Sequence, residues 1–218
     1  MEQRTPLIPL EARQALKTPR AAAIAGIAFS VLLGVSLLIL RIALPSTPHE
    51  AGPWVTDPAL KNAALFALNL VPFVGIAFLW FIGVIRDRMG AREDRFFATV
   101  FLGSGVLFVA LLFVDVAITA GLLGAPSLNN DLWRFGHSVS ALLTSYALKM
   151  AAVFMFSTAT ITLRTRFMPR WLGWLGYAIA AVLLLGAGLA PWVELLFPIW
   201  TLLVSVHLLM VTVPAPTD

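Results

Sequence analysis

The chain has 218 residues, 60% of them hydrophobic and 12% charged, with a formal net charge of +4. A soluble domain carries about 25% charged residues, so this composition is that of a membrane protein. The absence of cysteine excludes disulfides, iron–sulfur clusters, thiolate zinc sites and thiol nucleophiles, and the basic residues fall in loops between apolar segments rather than in a nucleic-acid-binding patch.

In chain order, residues 1–20 are too polar to span and read as a cytoplasmic tail, with a short interfacial helix expected around 9–17. Six apolar segments follow, at 21–44, 59–85, 96–124, 135–163, 171–189 and 193–213. A transmembrane helix needs roughly 20 apolar residues at 1.5 Å of rise each. The second, third and fourth segments exceed that and must tilt, kink or project. Only Ala190, Pro191 and Trp192 separate the last two, which predicts a tight helical hairpin or a single broken re-entrant element. Residues 214–218 form a second cytoplasmic tail. The expected fold is all-α: one membrane domain, 21–213, built as a polytopic bundle of six transmembrane helices with both termini cytoplasmic.

Helix punctuation agrees with these limits. Asp57 followed by Pro58 reads as an N-cap and first helical residue, and Pro169 and Pro191 repeat the device. Asn130 and Asp131 are the expected caps of the fourth helix. Trp171, Trp174, Tyr177 and Trp192 suit the headgroup level. Orientation follows from charge. Arg4, Arg13, Lys17 and Arg20 share a side with Arg86, Arg88, Arg92 and Arg95 and with Arg164, Arg166 and Arg170, against Lys61 and Arg134 opposite. That side is cytoplasmic. The first segment is too long for a cleaved signal sequence. No internal repeat appears, so the inverted-repeat signature of many transporters is missing.

The polar residues inside the spans carry the functional signal, because charge at membrane depth costs roughly 2.5–3.5 kcal/mol or more. Counting from span midpoints puts Lys149 at the midplane, Asp115 about 7–8 Å toward the outside and Asn69 about 4–5 Å the same way. The third and fourth helices are sequence neighbours, so an Asp115–Lys149 ion pair is geometrically reasonable. Arg134, Ser138, Ser145, Lys149, Ser157, Thr160 and Arg164 recur at spacings that keep them on one helix face. That face should look into the bundle, although serine and threonine in spans commonly serve packing alone. Asn69, Asp115, Ser145 and Lys149 are therefore the candidate intramembrane polar site. Asn69 precedes Pro72, which frees the carbonyl of Leu68. Gly26, Ser30 and Gly34 form a small-residue face for close helix approach.

Other chemistry is weakly signalled. Ser145 and Lys149 are one turn apart, as an activated nucleophile would need, but no oxyanion hole or water path accompanies them. The three histidines lie at different depths and do not suit two axial haem ligands. His49, Glu50, Asp131 and His137 lack a diagnostic metal spacing, and Glu194 in a first helical turn suits the positive helix end. No cofactor motif is present, and neither an enzyme activity nor a metal is expected. Arg86, Arg88, Arg92 and Arg95 are candidates for docking anionic lipid headgroups or a cytoplasmic partner.

Residues 78–88, the continuation through 95–105, and residues 166–177 resemble stretches of uncharacterised bacterial multi-span proteins of about six helices. The resemblance implies a bacterial inner-membrane location and transfers no activity. Two functions fit the sequence. One is a small permease-like or ligand-binding bundle in which Asn69, Asp115 and Lys149 line a polar cavity and Asp115 or Lys149 changes protonation as a solute passes. The other is a non-catalytic scaffold or accessory subunit, homo-oligomeric or bound in a membrane complex, whose ion pair only fixes helix register.

Overall fold

Proline, aspartate and asparagine set the helix limits. In a computed structural model, residues 18–44, 57–89, 95–125, 129–166, 168–186 and 192–212 are described. They form α1 (Thr18–Ala43), α2 (Pro58–Met89), α3 (Arg95–Gly124), α4 (Asn130–Thr165), α5 (Arg170–Gly186), a short 3-10 turn (Val193–Leu195) and α6 (Leu196–Thr212). Every described element is helical, and five helices are long and apolar enough to cross a membrane. α5, with 17 described residues, reaches about 25 Å, short of a hydrocarbon core of about 30 Å. The connection 187–191, the interfacial helix expected at 9–17 and Pro191 lie outside the described residues.

Asp57 caps α2 as expected, accepting the Ala59 amide at 2.8 Å. The cap of α4 is one residue earlier than the sequence reading placed it. Asn129, not Asn130 or Asp131, accepts the Leu132 amide at 2.7 Å. The reason is that α4 begins five residues before the expected 135, which draws Asn130 and Asp131 into its first turn. α2 runs unbroken through Pro72.

Each helix packs against its sequence neighbours, and α1 packs against α6, so the six form a closed ring. All six contacts are antiparallel. Against α2, Gly26 of α1 meets Phe81, while Ala43 clusters with Ala64 and Leu68. Against α6, the same Gly26 meets Ser205, and against the 3-10 turn that leads into it Arg41 meets Glu194. Thr160 of α4 bonds Tyr177 of α5, and Gly176 of α5 abuts Trp200 of α6. Packing of this closeness requires small residues, since lipid supplies no hydrophobic drive between helices.

Phenylalanines fill one half of the ring. Phe29, Phe78, Phe108, Phe154 and Phe197, from five different helices, meet with centroids 4.6–6.3 Å apart. Phe101 stacks on Phe154 at 4.7 Å. The outside of the bundle is apolar as well: Ile42, Phe66, Phe73, Trp80, Leu185 and Met210 are all exposed. Water solvates such a surface poorly and a bilayer solvates it well.

Candidate functional site

The other half of the ring is hollow. A partly open cavity of about 550 Å³ lies between α1, α2, α3, α4 and the start of α6, with Phe108 and Phe197 among its walls. That volume is in the range that takes a small organic molecule. Leu33, Leu37, Leu40, Leu112 and Leu148 are among its apolar lining residues.

Asp115 is the polar centre. Ser140 donates to one carboxylate oxygen, and Thr144 donates to the other at 2.9 Å. Thr119 and Ser140 hydroxyls are 3.3 Å apart. A hydroxyl has one proton, and Ser140 gives its own to Asp115, so Thr119 must donate to Ser140. The result is a relay from Thr119 to Ser140 to Asp115, with Thr144 closing the other side. Moving from 115 to 119 on α3 matches moving from 144 to 140 on α4, which is the antiparallel register again.

These hydroxyls differ from the rest. Ser30, Ser104, Ser138, Ser157, Thr158, Thr162, Thr201 and Ser205 each bond the carbonyl one turn back in their own helix. That is the ordinary use of a hydroxyl in a span. Ser140 and Thr144 instead turn to a carboxylate. Ser36 is 1% exposed and lines the cavity, and its hydroxyl has no hydrogen-bond partner among the described residues. A second polar cluster sits where α1 ends and α6 begins. Arg41 and Glu194 face each other at 3.7 Å, with the Arg41 guanidinium 6.0 Å from the Trp192 ring centre. Both line the cavity, as does His137, which lies 5.3 Å from the Trp133 ring.

The sequence-predicted site separates into two parts. Asp115 and Ser145 line the cavity. Lys149 does not; its ammonium lies 5.6 Å from the centre of the exposed Tyr146 ring. Among the described residues no ion pair joins Lys149 to Asp115, and no hydrogen bond joins it to Ser145. The hydroxyls of Ser140 and Thr144 take the place that the lysine was expected to fill. Asn69 is exposed on the outside of the ring and donates to the Leu65 carbonyl at 2.9 Å. No family model, curated protein or solved structure matches this chain.

Sequence reasoning missed Arg41, Ser36, Thr119, Ser140 and Thr144, and gave Glu194 only a role at a helix end. Arg41 carried a usable signal, being a third charge inside an apolar segment. Of the candidate docking arginines, Arg86 is exposed near the end of α2; Arg92 and the side chains of Arg88 and Arg95 lie outside the described residues, as do His49 and Glu50. Asp131 is exposed at the start of α4, and among the described residues no three potential metal ligands converge.

The relay makes a stability prediction. Replacing Ser140 by Ala and Thr144 by Val strips Asp115 of both hydroxyl donors, and each loss should cost about 1–2 kcal/mol. The thermal midpoint of the purified protein in detergent reports this. Adding Asp115→Leu to the double variant should recover much of the loss, because the orphaned carboxylate is then gone.

Proposed function

We propose that this chain is a six-span protein of the bacterial inner membrane, both termini cytoplasmic, that holds a small ligand in a cavity facing the outer side. The carrying observation is the 550 Å³ hollow whose leucine walls surround the Asp115 relay and the Arg41–Glu194 pair. Buried polar groups at membrane depth are costly and mark solute or ligand sites, and a mostly apolar cavity with a few convergent polar groups is the usual form of such a site. Charge bias supports the orientation. The antiparallel ring gathers the arginine-rich ends of α2, α4 and α5 on one side, and the cavity lies at the opposite end, where fewer cations occur.

The phenylalanine cluster between the cavity and the arginine-rich end favours a binding bundle over an open pore. The scaffold reading draws less support. Its small-residue face began at Gly26, and that glycine is already covered by Phe81 and Ser205 of the same chain.

A chain without cysteine suits the test. Single variants Ala141→Cys and Ser145→Cys place a thiol on the cavity wall; Ser157→Cys places one in the buried interior. A membrane-impermeant thiosulfonate should modify the first two in right-side-out vesicles and leave Ser157→Cys untouched. Modification only in inside-out vesicles, or in neither preparation, would sink the outward-facing cavity.

A further inference from the structure

We propose that the ligand is an amphipathic organic cation, an alkylammonium whose nitrogen sits on Asp115 and whose apolar body fills the leucine-lined part of the cavity. The inference rests on the ligand-binding reading above and adds the chemical class.

The charges at the cavity wall come first. Among the described lining residues, Asp115 and Glu194 set two carboxylates against one guanidinium, Arg41, and Glu194 is the carboxylate that meets Arg41. Asp115 meets only hydroxyls. A carboxylate at membrane depth is ordinarily matched by a cation. Lys149 of the neighbouring α4 is turned to Tyr146. A ligand ammonium would complete the pairing. An anion would meet Asp115 and Glu194 instead.

Geometry leaves room for it. An ionised carboxylate offers about four lone-pair positions, of which Ser140 and Thr144 take two. An ammonium brings up to three donors. Ser36 belongs to the wall of the same cavity. Phe108 and Phe197 at the closed end present aromatic surface, which attracts a desolvated cation. A metal ion would want a convergent set of histidines and carboxylates, and among the described residues no such group of three forms. The apolar walls favour an ion that carries its own hydrocarbon.

Three probes of one shape and different charge test this: 1-adamantylamine, 1-adamantanol and adamantane-1-carboxylate, titrated by calorimetry against the full chain in phosphatidylcholine nanodiscs. The amine should bind at least about tenfold more tightly than the alcohol, as a charge-assisted hydrogen bond implies, and the carboxylate more weakly still. Asp115→Asn should bring the amine down to the alcohol's affinity, with an unchanged elution volume in size-exclusion chromatography showing that the variant is folded. Equal binding of amine and alcohol, preference for the carboxylate, or full amine affinity in Asp115→Asn would overturn the proposal. Failure of all three probes would overturn it too. The thiol-labelling pattern separately tells whether the cavity itself is open. Replacing half the lipid by phosphatidylethanolamine separates two sources of the same chemistry. Competition with the amine would assign the ammonium to a lipid headgroup, and undiminished amine affinity to a free solute.

Discussion

Gly26→Leu is expected to abolish the folded bundle or lower its thermal midpoint more than any other single change in α1. A Cβ at this position would meet the Ser205 hydroxyl and approach the Phe81 ring to 2.7 Å. Those contacts come from two different helices, α6 and α2, so no single rotamer change relieves them. Overpacking of a tight interface costs about 1–3 kcal/mol, and a whole leucine at a three-helix junction belongs at or above the upper end. Gly34, two turns along the same helix, has nothing within 4 Å of its would-be Cβ. Gly34→Leu should therefore leave the midpoint nearly unchanged. The pair, compared by size-exclusion chromatography after heating, tests whether the small-residue face works within the chain at Gly26 alone. Equal loss in both variants would contradict that division.

The second large effect is expected at Phe78. Its ring lies within 4.6–6.3 Å of Phe29, Phe81, Phe108, Phe154 and Phe197, and it is fully buried. Phe78→Ala empties the middle of this phenylalanine cluster. In water such a change costs about 3–5 kcal/mol, combining lost transfer energy with an unfilled void. Lipid is as apolar as the side chain, so the transfer part shrinks. The packing part stays, because atoms around the void lose their partners. A destabilisation of about 2–4 kcal/mol is expected, read as a lowered midpoint in denaturant or heat. Phe78→Leu should restore more than half. A midpoint unchanged in Phe78→Ala would mean that the aromatic cluster is not what fills this half of the ring.

How much of this could be read from residues alone differs by element. The helix positions were legible because apolar run length and proline punctuation act locally. Asp115 was legible because a carboxylate in an apolar run is conspicuous whatever surrounds it. Its partners were not. Counting along a helix gives depth, since rise is fixed at 1.5 Å per residue, but facing direction depends on which neighbours pack. The predicted face of α4 followed Ser138, Ser145 and Lys149. The face that meets the cavity runs through His137, Ser140, Thr144 and Leu148 and takes in Ser145, but not Ser138 or Lys149. The two lines differ by about one residue, or roughly 100° of rotation, which was enough to exchange a lysine for two hydroxyls. Asn69 failed for the same reason, its depth being compatible and its direction outward. Arg41 and Glu194 were hidden differently. Glu194 lies in a first helical turn, where a carboxylate has an ordinary explanation, and Arg41, though conspicuous in its apolar segment, is paired with it only by contact between α1 and the 3-10 turn before α6.

That contact also sets a timetable. Gly26 and Arg41 are made early, whereas Glu194 in the 3-10 turn and Ser205 in α6 are made much later. Roughly 180 residues separate Gly26 from Ser205, so at typical synthesis rates α1 waits about 10–40 s for its second neighbour. Through that interval the nascent bundle is an open arc, and the inner flank of α1 must rest against lipid or a helper protein. The cavity cannot exist before the arc closes, since the 3-10 turn and α6 supply Glu194 and Phe197 to its wall. Chains cut short before α6 should therefore be recognised by the cell as unfinished, even though five of their helices are already in place.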